Sequence, residues 1–438
     1  MKYFFETYGC QMNTAESASL KRLLTGRGWS AAQSAGEAAL VIINTCSVRE
    51  TAEQRALGRI AHYAALKKKS ANRFRLLIMG CMAARLGDKL RENGADYTLG
   101  QSQSGEFTRI LDEIEKNISV SPCTDDFFSQ SSYEEGDFRC FVPVMRGCNN
   151  FCSYCIVPYV RGREVSRPPR EILDEISFLA GKKVREITLL GQNINSYSYS
   201  GGGESMDFSG LLKAIANTVE GTPVRRLRFL TSHPKDFSPR TIDVLRGNPV
   251  FCRHIHLCVQ HGSNRVLSAM NRRYTREAYL ELVRALRDAL PALSLSTDIL
   301  VGFPGETEAE FEEVLTLMEE VKFLYAYMYH YNPREGTAAY NLSERIGEDV
   351  KRERLARVIA LQKKHTRELL RQRLGAEEEV LVEGPSRKDS GELLCRTERD
   401  EMVVAAGDTA LAGSFINARI LELRGNTLWA TRAGSNSW

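Results

Sequence analysis

The segment Arg146-Gly147-Cys148-Asn149-Asn150-Phe151-Cys152-Ser153-Tyr154-Cys155 sets three thiols at Cys-x3-Cys-x2-Cys spacing. Three thiolates on so short a loop can hold three irons of a 4Fe-4S cube and leave the fourth iron without a protein ligand. An electron-transfer cluster is normally closed by four cysteines. A structural zinc site also wants four ligands, and no Cys or His follows at finger-like spacing. The open iron can instead accept the amine and carboxylate of a cofactor. A second trio is spread wider: Cys10, Cys46 and Cys81 each follow an extended apolar run, Tyr3-Phe4-Phe5, Leu40-Val41-Ile42-Ile43 and Leu76-Leu77-Ile78-Met79. One free cysteine at a strand end is ordinary burial of a small residue. Three at equivalent positions point to a metal site.

The elements that must position these residues can be read from periodicity. Continuous apolar runs followed by helix-like stretches predict a small doubly wound parallel sheet over 1–120, with the three cysteines at the carboxyl ends of its strands, where ligands gather. Residues 121–139, rich in Ser, Asp and Glu, read as a linker. Over 140–374 the chain first alternates strand and helix. Candidate strands are Phe141–Met145, Glu186–Leu190, Arg226–Leu230, His254–Val259, Leu293–Val301 and Leu324–Tyr331. Helices are expected at Arg170–Ala180, Phe208–Val219, Arg276–Leu290 and Glu308–Val321. Six such units predict a partial (β/α)6 barrel whose active face lies after the strands. Short runs at Glu379–Glu383, Leu393–Thr397, Met402–Ala405 and Phe415–Leu423 predict a small antiparallel β-barrel over 375–438. The fold class is thus α/β with an appended β-barrel.

Composition narrows the setting. The 438 residues, 43% hydrophobic, suffice for roughly three domains of ~150 residues. The net charge of +4 is too mild to announce a polyanionic partner, but Lys351–Leu374 carries nine Lys/Arg against two Glu, a local +7 that suits phosphate contact. The 375–438 barrel, with seven Lys/Arg and eleven Asp/Glu, is not basic. No apolar run approaches ~18 residues and the N-terminus has no signal-peptide pattern, so no membrane association and a cytoplasmic location are expected. Eleven cysteines in a reducing compartment favour metal ligation over disulfides.

The Cys148–Cys155 loop at the start of a barrel resembles the radical S-adenosylmethionine superfamily. Tyr8-Gly9-Cys10-Gln11-Met12-Asn13, Asn44-Thr45-Cys46-Ser47-Val48-Arg49 and Gly80-Cys81-Met82-Ala83 resemble its methylthiotransferases. Further matches are Leu190-Gly191-Gln192-Asn193, Thr231-Ser232-His233-Pro234, Val259-Gln260-His261-Gly262-Ser263, Ser296-Thr297-Asp298-Ile299 and Val301-Gly302-Phe303-Pro304-Gly305-Glu306, with a C-terminal barrel like the TRAM RNA-binding module. The resemblance spans essentially the whole chain. It implies two 4Fe-4S clusters, one on Cys148, Cys152 and Cys155 that cleaves S-adenosylmethionine to a 5′-deoxyadenosyl radical, and one on Cys10, Cys46 and Cys81 that holds sulfur. A second S-adenosylmethionine methylates that sulfur before its insertion. Beyond the cluster ligands no catalytic residue is assigned. Tyr154, Gln192, Asn193, Ser232, Gln260 and Asp298 are the candidate cofactor contacts. His233 and His261 read as surface or loop histidines, and Gly302, Pro304 and Gly305 as turn residues. Cys123, Cys140, Cys252, Cys258 and Cys395 lack complementary spacing. The chain departs from the family pattern at Cys258, which often is Pro, and at His261, often Ser.

Thr231–Pro234 and Val380–Ser386 look like the dimethylallyladenosine branch, although Cys395 stands where that branch commonly has Gly. That branch implies a methylthio group at C2 of N6-dimethylallyladenosine at position 37 of tRNA. The partners implied are tRNA, an electron donor such as flavodoxin or ferredoxin, and iron-sulfur assembly or sulfur-donor proteins. Arg387 and Lys388 are the barrel residues expected to touch the RNA backbone. The competing readings are methylthiolation of threonylcarbamoyladenosine or of a ribosomal-protein aspartate, and a non-catalytic iron-sulfur electron carrier bound to RNA. The carrier leaves two three-cysteine sites without a fourth ligand unexplained.

Overall fold

The computed structural model describes residues 1–47, 50–69, 74–100, 104–115, 131–386 and 391–433. In the N-terminal part, strands Lys2–Thr7, Leu40–Thr45 and Arg75–Gly80 pair in parallel, flanked by the two- and three-residue strands Ser30–Ala31 and Tyr97–Leu99. The apolar runs are continuous because both faces of the sheet are covered. Leu40, Ile42, Leu77 and Met79 pack with Leu20, Leu24, Phe107 and Leu111 on one side. Val41, Ile43, Leu76 and Ile78 pack with Ala56, Ile60, Tyr63 and Leu90 on the other. The alternation of successive side chains divides one run between two cores.

The central part is an open barrel of six parallel strands: Arg139–Pro143, Glu186–Leu190, Arg226–Phe229, His254–His256, Ser294–Val301 and Tyr325–His330. The two halves join through single bridges, Leu227 with Phe251 and Ser232 with Leu257. Among the described residues the first and last strands do not pair, so the barrel is open along that side, with Tyr327 and Tyr329 exposed on its last strand. Helices Pro169–Gly181, Phe208–Val219, Arg276–Ala289 and Glu308–Val321 cover the outside. The last of these starts at a reciprocal cap: Thr307 Oγ1 accepts from Glu310 N–H, and Thr307 N–H donates to Glu310 Oε2 at 2.8 Å.

The helix expected at Lys351–Leu374 runs over Glu348–Arg371, and part of its charge is spent inside the protein. Lys351 and Arg354 are buried, Arg354 pairs with Glu306 at 2.7 Å, and Arg357 pairs with Glu308 at the same distance. Lys363, Lys364, Arg367 and Arg371 remain exposed.

The C-terminal barrel closes in the order Glu377–Pro385, Glu392–Thr397, Met402–Ala406, Thr427–Arg432, Phe415–Arg424. A fifth strand, Thr427–Arg432, completes it. Its pairing with Met402–Ala406 is the one parallel contact in an otherwise antiparallel barrel. The barrel docks on the amino ends of the central strands. Arg226 donates to Arg396 O and Glu379 O, both at 2.8 Å, and Arg228 donates to Thr397 O at 2.9 Å and Glu398 O at 3.0 Å. Tyr325 OH donates to Asp400 Oδ2 at 2.7 Å, and Ser294 Oγ to Arg399 O at the same distance. No helix among the described residues is long and apolar enough to cross a membrane.

Candidate active site

The 147–155 loop leaves the carboxyl end of the first central strand. Its entry requires glycine: Gly147 has φ +74°, and a Cβ there would lie 2.0 Å from Arg163 O. The loop is pinned through its backbone and Ser153. Cys148 N–H donates to Gly162 O at 3.2 Å, Ser153 N–H to Met270 O at 3.0 Å, and Ser153 Oγ to Ala269 O at 2.8 Å. Asn271 Nδ2 donates to Asn150 O and Phe151 O. One cation reaches a thiol: Arg272 Nη1 lies 3.3 Å from Cys152 Sγ, while Nη2 donates to Cys258 O at 2.7 Å. Burial pushes the Cys148 and Cys155 thiols up to about 11 and about 12. Metal ligation demands the thiolate and reverses that preference.

The second trio converges through Asn13 and Gly80. Cys10 caps the helix Gln11–Gly26, and its N–H donates to Asn13 Oδ1 at 3.2 Å. Asn13 Nδ2 donates in turn to Asn44 Oδ1 at 2.9 Å and Thr45 O at 3.2 Å, tying the first cysteine loop to the second. Gly80, at φ +96°, lets the third approach, since a Cβ would lie 2.3 Å from Thr45 O. Cys46 and Cys81 are buried and Cys10 is half-buried. Burial pushes Cys81 up to about 11, against the pull of the nearby Arg161 guanidinium.

The two trios share a wall. The helix Val157–Arg161 begins two residues after Cys155, and Cys81 packs against Ile156 and Val160. Arg161, buried between the domains, donates to Glu16 Oε1 at 2.9 Å and hydrogen-bonds Cys81.

The expected cofactor contacts separate into groups. Gln192 Oε1, Asn193 Oδ1, Ser232 Oγ and His233 Nε2 are all buried without a hydrogen-bond partner, and they follow two adjacent strands. Buried polar atoms left open in this way have room for a water or a ligand as partner. Gln260 stands at φ +70°, with its N–H donating to Asp298 O at 2.9 Å. Tyr154 packs against Val266, Met270, Leu300, Phe303 and Tyr331. The Asp298 carboxylate meets His256 Nε2 at 3.4 Å, beside Cys258. Burial opposes the charged forms there, but Cys258 and the Asp298 carboxylate push the His256 imidazole up, and the imidazole holds the Asp298 carboxyl down.

Both singled-out histidines lie in loops, and both are buried rather than at the surface. His261 is fully buried, its Nε2 3.2 Å from Glu306 Oε2, within a chain that continues to Arg354. His233 Nδ1 accepts from Lys235 N–H, and burial takes its pKa down to about 2. Cys140, Cys252 and Cys395 are buried. Cys123, Arg387 and Lys388 lie outside the described residues. Sequence reasoning missed Arg161, His256 and Arg272. The one signal for His256 was its place two residues before Cys258 at a strand end.

Among the described residues, His256, Cys258 and Asp298 form the trio whose ligand atoms all lie within 4.8 Å. A six-stranded open barrel with a three-cysteine loop after its first strand defines a radical S-adenosylmethionine enzyme. Residues 142–318 match the radical SAM superfamily, 371–431 the TRAM domain, and 2–100 "Uncharacterized protein family UPF0004". The chain is 47% identical to a Treponema denticola protein named tRNA-2-methylthio-N(6)-dimethylallyladenosine synthase, over 98% of this chain and 99% of that one. A Geotalea uraniireducens protein of the same name is 42% identical over 97% of each. It belongs to the tRNA-2-methylthio-N6-dimethylallyladenosine synthase family. Among solved structures, the radical S-adenosylmethionine methyltransferase TsrM from Kitasatospora setae shares the fold at TM-score 0.58 and 15% identity, over 77% of each chain.

Proposed function

We propose that this chain replaces the C2 hydrogen of N6-dimethylallyladenosine at position 37 of tRNA with a methylthio group, in the cytoplasm. The observation that carries the reading is the shared wall between two three-cysteine sites, in a chain alike over its whole length to proteins of that name. Cys148, Cys152 and Cys155 would hold one 4Fe-4S cluster and Cys10, Cys46 and Cys81 a second. With S-adenosylmethionine bound, the clusters supply one-electron cleavage chemistry and a place for sulfur. The chain's own residues position and enclose. Gly147, Ser153 and Asn271 fix the loop, Arg272 places a cation beside Cys152, and Gln192, Asn193, Ser232 and Gln260 offer polar partners to the nucleoside or methionyl part of the cofactor. Arg161 and Glu16 lock the two cysteine-bearing parts together.

The RNA reading follows from the exposed surface. The open side of the barrel runs from the C-terminal barrel at the strands' amino ends to the cysteines at their carboxyl ends, and Tyr327 and Tyr329 are exposed along it. Unpaired loop bases are read by stacking on such rings. Lys363, Lys364, Arg367 and Arg371, with Arg387 and Lys388, supply phosphate contacts. A flavodoxin- or ferredoxin-type electron donor and a sulfur-donor or cluster-assembly protein complete the requirement. The experiment supplies reconstituted protein with prenylated, unmodified and threonylcarbamoylated tRNA and measures nucleosides by mass spectrometry. A methylthio product on prenylated tRNA is expected. Product only on threonylcarbamoylated tRNA, or only on a ribosomal protein, overturns the substrate.

A further inference from the structure

The barrel interior carries a donor set that the cysteine clusters do not use. His256 ends the fourth central strand, and Cys258 follows two residues later. Asp298 lies on the neighbouring strand, where the register sets His256 beside Ser296. Their imidazole nitrogen, thiol and carboxylate oxygen all lie within 4.8 Å of one another. Ser296 Oγ sits 2.9 Å from both His256 Nδ1 and His254 Nε2. One hydroxyl can accept from the first and donate to the second, so a metal ion that displaces the Nε2 proton of His256 meets a lone pair directed at Asp298. His256 and Cys258 are buried, and the Asp298 side chain is 25% exposed, so the set opens on one side.

We propose that His256, Cys258 and Asp298 bind a single zinc ion, with the fourth position open toward the barrel interior. Imidazole, thiolate and carboxylate are each established zinc donors, and three protein ligands with one open place is the arrangement of reactive zinc sites. Thiolate and carboxylate together balance the dication, so the loaded site is neutral and suits its burial. Zinc–ligand bonds of ~2.0–2.3 Å put tetrahedral ligand atoms closer together than 4.8 Å, within reach of small side-chain rotations. Zinc ligation takes Asp298 out of the cofactor contacts. The proposal stands whichever RNA or protein is the substrate.

The test counts metal in the full-length protein after both clusters are reconstituted and loosely held ions are removed. Equimolar cobalt is added anaerobically as a spectroscopic substitute for zinc. Wild type should retain about one cobalt per chain, displaced by zinc, and the cobalt X-ray absorption edge should show one sulfur neighbour. Cys258→Ser should lower retention at least ~10-fold while iron stays unchanged, and Cys395→Ser should not alter it. If Cys258→Ser loses iron through misfolding, Asp298→Asn decides by the same count. Absence of retained cobalt in wild type, equal retention in the deciding variant, or an edge without sulfur overturns the site.

Discussion

Replacing Arg228 by Met should loosen the C-terminal barrel by a measurable and calculable amount. Arg228 is 5% exposed and its Nε lies 3.1 Å from Glu186 Oε2, itself 1% exposed. Burial alone would push Glu186 up, but Arg228, Arg139 and Arg226 hold its carboxyl below the ordinary range. Met keeps the side chain's length and removes the charge. Removing one partner of a buried ion pair costs about 3–5 kcal/mol, and Arg139, 3.1 Å from Glu186 Oε1, keeps the loss toward the lower end. Thr397 O keeps the Asp400 N–H, so only the Glu398 O contact adds an unmet acceptor. A net cost of ~3 kcal/mol multiplies the opening equilibrium about 100-fold, at 1.4 kcal/mol per factor of ten. Hydrogen-exchange mass spectrometry on peptides covering 392–397 and 402–406 reads this directly. Arg225→Met is the control. It breaks a pair with Glu379 whose side chains are 51% and 39% exposed, worth at most about 1 kcal/mol. If Arg228→Met accelerates exchange no more than Arg225→Met, the buried clamp does not hold the barrel.

Other expected outcomes follow from single sites. Replacing Cys148, Cys152 and Cys155 together by Ala should leave about half the iron of the reconstituted protein and no 5′-deoxyadenosine, whereas replacing Cys10, Cys46 and Cys81 should spare cleavage and stop sulfur insertion; iron and nucleoside analysis distinguish the two. Burial takes His254 down to about 3, so the folded state refuses a proton that the unfolded chain accepts below about 6.5. Stability should therefore fall as pH drops from 7.5 to 5, by ~2 kcal/mol from this residue. Urea midpoints of cluster-free protein should show a shallower pH slope in His254→Asn, and an unchanged slope counts against the buried neutral ring. Thr307→Ala removes the reciprocal cap of Glu308–Val321 and should cost about 1 kcal/mol in the same urea assay, with Thr307→Ser restoring most of it.

The parts of the fold that were legible in sequence are those fixed by local pattern. Leu40–Ile43 and Leu76–Met79 announced strands because both faces of that sheet are apolar, and the cysteines after them fell where strand meets helix. The helices Phe208–Val219 and Glu308–Val321 were legible to the residue, one begun at Asp207 and the other at Thr307, each with a capping side chain. Thr427–Arg432 was not, because a short strand holding Leu428 and Ala430 inward gives too little periodicity to detect. What depends on distant partners was hidden. His261 meets Glu306 forty-five residues away, and Arg226 and Arg228, alternating with Leu227 and Phe229, look like the solvent side of a strand until a second domain arrives. The basic helix announced its charge but not that Arg354 and Arg357 turn back onto Glu306, Glu308 and Glu312.

The grip of Arg226 and Arg228 has an evolutionary consequence. The four hydrogen bonds from these guanidinium groups to the C-terminal barrel end on main-chain oxygens, at residues 379, 396, 397 and 398, beside two side-chain contacts, Arg228 with Asp400 at 4.0 Å and Arg226 over the Phe415 ring. A substitution changes a side chain and leaves its carbonyl in place, so exchange at those positions spares these four bonds. What selection must preserve is the spacing along the hairpin that presents the oxygens, so an insertion or deletion there is penalised where exchange of one residue for another is not. A barrel from a distant relative with the same strand lengths would meet the same receptacle.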